Sequence, residues 1–175
     1  MDERERARIR AAIDAAEGSA DAPQPSDTQL RALLSASRTI AVVGASPKPD
    51  RPSHGVLLAL HEAGWRVMPV NPAPNALAAG IAGLTCYPDL AAAAASLPPG
   101  EHIDLVDVFR RSEDCAAVTR DAIAAGARAV WLQLGIANSE AAALAAAANI
   151  PFVQDRCTAI EAKRLGVRGP QLNGP

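Results

Sequence analysis

Between Gly44 and His54 the chain reads G-A-S-P-K-P-D-R-P-S-H, gathering a glycine, two hydroxyls and two cations in one short stretch. These are groups that hold a phosphate. Gly44 permits close backbone approach and an unusual φ, Ala45 continues a narrow turn, and the Ser46 hydroxyl can donate. Pro52 suits the first turn of a helix, where its missing N–H breaks no bond, and Ser53 and His54 follow with N–H groups at the positive helix end. Arg51 can fork two phosphate oxygens, whereas Lys48 acts as a mobile point charge. A strand, glycine and helix in succession also serve many α/β domains simply to reverse the chain. The two basic residues are what favour an anion.

Other groups able to do chemistry are scattered. His54 stands beside the turn, where an anion favours its protonated form, and binding rather than proton transfer is its expected task. His61 falls within an amphipathic helix and His102 at a polar strand entrance, neither placed as a nucleophile. Cys157 follows Asp155-Arg156 at a helix start, where the dipole favours a thiolate, but no His–Asp set accompanies it. A buried, inert thiol is the default. Cys86, Cys115 and the three histidines never stand at ligand spacing, so no metal site is expected. Gln133 interrupts the apolar strand end W-L-Q-L-G and needs partners there, either backbone groups of a neighbouring loop or a ligand in the cleft. Asp104 and Asp107 bracket an apolar strand at odd spacing, which predicts a structural hydrogen-bonding role for one that faces inward.

The elements that must position these groups alternate between apolar runs and helical segments. Strands are expected at Thr39–Val43, Trp65–Val70, Ile103–Val108, Ala129–Leu132 and Pro151–Val153. Helices are expected at about Pro52–Ala63, Ser112–Ala125, Ser139–Ala148 and Thr158–Leu165, with a short one capped by Ser26 or Asp27 running through Leu30, Leu33 and Leu34. Runs such as D-L-V-D-V-F and A-V-W-L, apolar without alternation, mark parallel strands covered on both faces. Repeated βα units then predict an α/β fold, a doubly wound and mainly parallel sheet of about five strands with helices on both faces. Between Asn71 and Leu97 the signal weakens to one short edge element in G-L-T-C-Y-P-D-L and a helical alanine run. Residues 1–27 read as a charged N-terminal arm and linker, 28–166 as the domain, and the Gly- and Pro-rich 167–175 as a frayed tail.

At 175 residues the chain fits one domain. Hydrophobic residues form 49% of it, but aromatics only 3%, so alanine-rich helices must pack closely. A formal net charge of −2 gives no global basic field, which disfavours nucleic acid as a partner. No apolar run reaches membrane-spanning length, the N-terminus lacks a signal-peptide core, and three scattered cysteines form no disulfide framework. A cytoplasmic protein without a membrane partner is the expectation.

A dinucleotide fold normally carries G-x-G-x-x-G in the first turn and an acid at the end of the second strand. Here the turn is G-A-S-P-K-P and the second strand ends in Asn71-Pro72-Ala73-Pro74, which disfavours NAD. Five ordered motifs, V-V-G-A-S-P-K-P-D-R-P-S-H-G, V-M-P-V-N-P, D-V-F-R-R, V-W-L-Q-L-G-I and D-R-C, resemble the small single-domain CoA-binding proteins. That family is similar to the N-terminal domain of the succinyl-CoA synthetase α subunit, and the likeness covers about Leu30 to Gly166. It implies a Rossmann-like domain holding coenzyme A across the carboxyl ends of its strands. By the same resemblance Gly44, Ala45, Ser46, Lys48, Arg51, Ser53 and His54 surround the phosphates. Asn71 and Pro72 line the second loop, Val108, Phe109 and Arg110 the third, and Gln133 with Gly135 the fourth.

Arg51 and Arg110 suit the charge of such a ligand, Phe109 and Pro72 its apolar parts. Phe109 can equally cover the sheet edge, and Arg111 can be a solvated helix entrance. The larger relatives work through a phosphohistidine on a second domain, for which this chain has no room, and no catalytic residue is identified. A mixed disulfide between Cys157 and the CoA thiol is conceivable. The expectation is therefore a protein that binds CoA or acyl-CoA. The alternatives are an NAD(P)-dependent oxidoreductase, a small CoA-transferring enzyme, or a regulatory subunit whose nucleotide site has lapsed.

Overall fold

A computed structural model describes residues 24–171. The charged arm before residue 24 and the last residues of the tail, 172–175, lie outside them. The first element is α1 (Asp27–Ala36), and Ser26 starts it with a reciprocal capping box. Its hydroxyl accepts from the Gln29 N–H while the Gln29 side chain accepts from the Ser26 N–H, satisfying two donors that a helix start leaves open. Leu30 and Leu34, one turn apart, are fully buried.

Then come β1 (Thr39–Val43), α2 (Pro52–Glu62), β2 (Arg66–Val70), and two six-residue helices, α3 (Pro74–Ala79) and α4 (Leu90–Ala95). The chain continues with β3 (Leu105–Val108), a 3-10 turn at Ser112–Asp114 leading into α5 (Cys115–Ala124), β4 (Val130–Leu132), α6 (Ser139–Ala147), β5 (Phe152–Val153) and α7 (Thr158–Leu165). All five strands are parallel, in the order β2-β1-β3-β4-β5.

Two cores follow from the strand period of two. Ile40, Val42, Leu105 and Trp131 face one side, where they pack with Leu30 and Leu34 of α1, Leu57 and Leu60 of α2, and Ala162 and Leu165 of α7. Ala41, Val106, Val130 and Leu132 face the other and meet Leu90 and Ala93 of α4, Cys115 and Ala122 of α5, and Ala141 of α6. Trp131 is core, its indole N–H donating to the Arg156 carbonyl at 2.7 Å. The sheet is thus doubly wound and Rossmann-like, as the repeated βα pattern predicts.

The edge element expected in G-L-T-C-Y-P-D-L is a single residue. Tyr87 bridges Val70 in parallel, its N–H donating to Pro69 O and its carbonyl accepting from Asn71 N–H, both at 2.9 Å. Counted as a vestigial strand it makes the order 3-2-1-4-5-6, the Rossmann succession, and the order reverses between β1 and β3. Pro69 sits within β2 with its carbonyl on this outer side.

Four strands, β2, β3, β4 and β5, begin one or two residues later than expected. At β3 the cause is visible: the Asp104 carboxylate takes the N–H groups of Arg38 and Thr39 at 2.8 and 3.0 Å, and the ladder starts after it. The chain beyond α7 differs from the expected fraying over 167–171. Val167 is buried with its N–H on Ala162 O, and the Gly169 N–H donates to Ala63 O, each at 2.9 Å, which straps this segment across the turn before β2.

Candidate functional site

At the carboxyl end of β1 the chain must turn under the end of β3. Gly44 does so at φ +82°, so close to its neighbour that a Cβ there would stand 2.5 Å from the Phe109 carbonyl oxygen. The loop it opens is closed by its own helix. The Ser46 N–H donates to Ser53 Oγ at 3.1 Å, and the Lys48 N–H to Ser46 Oγ at 3.2 Å. Each hydroxyl accepts from backbone and so keeps its own proton to donate. His54 Nδ1 lies 2.9 Å from the Ser46 carbonyl, an acceptor only, which fixes Nδ1 as the protonated nitrogen and makes the ring a latch on the loop.

The expected row of free N–H groups is shorter than the sequence implies. Those of His54 and Gly55 turn back to the Arg51 carbonyl at 3.0 and 3.5 Å, and that of Gly44 goes to Val70 O at 3.1 Å. The Ala45 and Ser53 N–H groups have no acceptor among the described residues.

A cavity of about 660 Å³ opens at this end of the sheet. It is lined by Gly44, Ser46, Lys48, Arg51 and Ser53, by the apolar Val56, Phe109, Leu134, Ile136 and Ile160, and by Gln133 and Cys157. Among the described residues no salt bridge engages Lys48 or Arg51. Other arginines are already committed: Arg110 stands 3.9 Å from Asp114, Arg111 reaches Asp114 and Glu113, and Arg156 pairs with Glu161. A second cavity of similar volume lies at the opposite end of the sheet, between α1 and β5, with Arg128 and Asp104 as its charged residues. The first has the better claim to an anionic ligand, because α/β sheets bind ligands outside the carboxyl ends of their strands at the reversal point, which here is Gly44 against Phe109.

Seven of the residues singled out from sequence line this cavity: Gly44, Ser46, Lys48, Arg51, Ser53, Phe109 and Gln133. The others stand around it. Ala45 and Val108 are buried core. Asn71 spends its amide on structure, donating to Ala45 O at 2.8 Å and accepting from the Ala73 N–H at 2.9 Å, and so ties the first loop to the second. Pro72 is exposed beside it. Arg110 lays its stem over Gly44, and Gly135 donates to Asp155 at 2.7 Å. Among the apolar liners, Leu134 and Ile136 fall within V-W-L-Q-L-G-I but were given no role, and Val56 and Ile160 lie outside the motifs. One sequence signal could have found Ile160: it is the isoleucine of T-A-I-E-A-K-R-L that does not share the face of Ala162 and Leu165, and it is exposed.

Beneath the cavity floor lies a closed polar ring. Asp107, fully buried on β3, accepts from Gln133 Nε2 at 2.6 Å and from the Thr158 hydroxyl at 2.8 Å, and Gln133 Nε2 also donates to Thr158 Oγ1 at 2.8 Å. The ring joins β3, β4 and the first residue of α7. Burial pushes the Asp107 carboxyl up to about 7, against the two donated bonds that pull it down. Burial and the carboxylates Asp114 and Glu113 push the Cys115 thiol up to about 11, which leaves it a poor nucleophile. Among the described residues no group of three His, Cys, Asp or Glu side chains could hold a metal ion, and no helix is long and apolar enough to cross a membrane.

Residues 38–163 match the family model described as CoA binding domain. An uncharacterized protein of Bacillus subtilis (strain 168), YneT, is 33% identical over 133 residues, which is 76% of this chain and 91% of that one. Among solved structures, cell-free ID.343 from Thermus thermophilus is 38% identical with a TM-score of 0.70, covering 81% of this chain and 99% of its own. The dinucleotide-forming acetyl-coenzyme A synthetase 1 of Ca. Korarchaeum cryptofilum, in complex with phosphate and ADP, is 25% identical with a TM-score of 0.51, over 83% of this chain and 28% of that one.

Proposed function

The chain belongs to the CoA-binding domain family, and from that premise we propose that it binds coenzyme A or an acyl-CoA in the cavity at the carboxyl ends of β1, β3 and β4. One observation carries this reading: a single cavity is lined by two unpaired cations, two hydroxyl donors and the start of α2 together with the apolar side chains of Val56, Phe109, Leu134, Ile136 and Ile160. CoA is built the same way, with phosphates at one end and a largely apolar pantetheine arm at the other. Arg51, Lys48, Ser46 and Ser53 hold the phosphates, and Phe109 with Ile136 and Ile160 flanks the arm. The protein acts by binding, in the cytoplasm, with no catalytic residue assigned.

An NAD(P)-dependent oxidoreductase is the less supported reading, since the position that should hold an acid on the ribose is Asn71, whose amide is spent on the loops. A small CoA-transferring enzyme is less supported, since among the described residues lining the cavity no nucleophile is hydrogen-bonded to a base. Calorimetric titration with CoA, acetyl-CoA, NADH, NADPH and ATP separates these. CoA is expected to bind and the nicotinamide dinucleotides not to; stabilisation by a nicotinamide dinucleotide without any by millimolar CoA would overturn the assignment. Arg51→Ala is expected to weaken CoA by roughly 1–3 kcal/mol, the worth of a charge-assisted phosphate contact. Unchanged affinity removes Arg51 from the site.

A further inference from the structure

Gln133 is 3% exposed and lines the cavity, yet its amide is only half used. Nε2 has two protons, and both are committed, one to Asp107 Oδ1 and one to Thr158 Oγ1. With Asp107 ionised, swapping its nitrogen and oxygen would set the amide oxygen against the carboxylate, two acceptors with no proton between them, so the ring fixes which end points inward. Oε1 receives no hydrogen bond from any described residue, and it is not among the fully enclosed polar atoms that lack a partner. It is therefore left facing the cavity that Gln133 lines.

What surrounds it decides which group it receives. Leu134, Ile136, Phe109 and Cys157 border the same cavity, and neither of its two cations, Lys48 and Arg51, bonds to the oxygen. The phosphate-holding turn follows β1 while Gln133 follows β4, two strand spacings or roughly 10 Å across the sheet. A ligand anchored by phosphates at the first place must present, at the second, a mostly apolar segment carrying an N–H. A desolvated carbonyl left unpaired is costly, and a secondary amide in an aliphatic chain answers it while satisfying the apolar wall.

We propose that the Asp107–Thr158 pair orients Gln133 so that its Oε1 accepts an amide N–H of the ligand's pantetheine arm, making Gln133 the residue that distinguishes CoA from nucleotides lacking that arm. Asp107 and Thr158 are positioning residues that act through Gln133. This rests on the CoA reading above.

The test compares two probes, CoA and adenosine 3′,5′-bisphosphate, which keeps phosphates but has no arm, titrated at pH 8 so that Asp107 is ionised. Gln133→Met is expected to lower CoA affinity about tenfold and to leave the bisphosphate within about twofold. Thr158→Val should reproduce that selective loss and Thr158→Ser should restore it, a rescue that mere packing would not require. On the ligand side, a CoA analogue with its arm amides replaced by esters should bind the wild-type protein about tenfold more weakly than CoA, and this arm needs no variant to fold. Equal loss of both probes, or full affinity for the ester analogue, overturns the role of Gln133. If wild-type protein binds neither CoA nor the bisphosphate, it is the CoA reading itself that fails.

Discussion

Gly44→Ala is expected to cost about 2–4 kcal/mol of stability and to abolish CoA binding. Two penalties combine. A residue with a Cβ pays about 1–2 kcal/mol to hold φ near +82°. The new methyl would also stand 2.5 Å from a backbone oxygen of the neighbouring strand, and that atom cannot swing aside as a side-chain tip would. Relief requires parting the ends of β1 and β3, where the Phe109 N–H now donates to Val43 O at 2.8 Å, so a buried hydrogen bond of about 1 kcal/mol goes with it. Gly135→Ala is the control, because Gly135 has φ +81° but nothing within 4 Å of its would-be Cβ. Urea unfolding should show a loss for Gly135→Ala of about 1 kcal/mol, the strain alone. Equal losses for the two variants would mean that the close approach to Phe109 does not matter.

Asp107 is expected to give folding a pH dependence that Asp107→Asn removes. In the unfolded chain this carboxyl ionises near 3.8, whereas burial holds the proton in the folded state up to about 7. Between those values the folded protein binds more protons than the unfolded one, so stability rises as pH falls from 7 toward 4 and declines as pH rises through that window. The swing attributable to Asp107 is roughly 2–4 kcal/mol. Asp27 and Glu101, held below the usual carboxylate range by Arg164 and Arg66, lose stabilising ionisation only at the acid end and cancel in the difference between the two proteins. Unfolding free energies at intervals from pH 4.5 to 8 should show wild type losing ground to Asp107→Asn as pH rises. Parallel profiles would show that Asp107 is ionised throughout.

The apolar runs made the strands legible because a parallel sheet covered on both faces leaves no polar alternation, and β1 is placed to the residue by T-I-A-V-V. Helix α3 was not legible: six residues are below the length at which propensity speaks, and Ala76 is its one buried residue. In the candidate site, seven of the fourteen residues named from sequence line the cavity, but residue types could not say what each side chain would find. Asn71 and His54 look like ligand contacts in sequence, and in the structure each also bonds within the protein, Asn71 to the Ala45 carbonyl and His54 to that of Ser46. Odd spacing showed that one of Asp104 and Asp107 turns inward but not which, and the partner of Asp107, Thr158, stands 51 residues on and could not be paired from sequence. Likewise the glycines and prolines after α7 read as an untethered end, although Gly169 is small because the Trp65 backbone lies against it.

Pro69 has a consequence for how copies of this protein behave at high concentration. Its carbonyl points to the outer side of β2, so the N–H it lacks would have pointed there too, and the outer edge is missing a donor just where another strand would add. Tyr87 occupies the adjoining position. At the other margin β5 is two residues long and follows Pro151. Neither margin offers a long ladder for a foreign strand to extend, so the sheet is guarded against stacking edge to edge in solution.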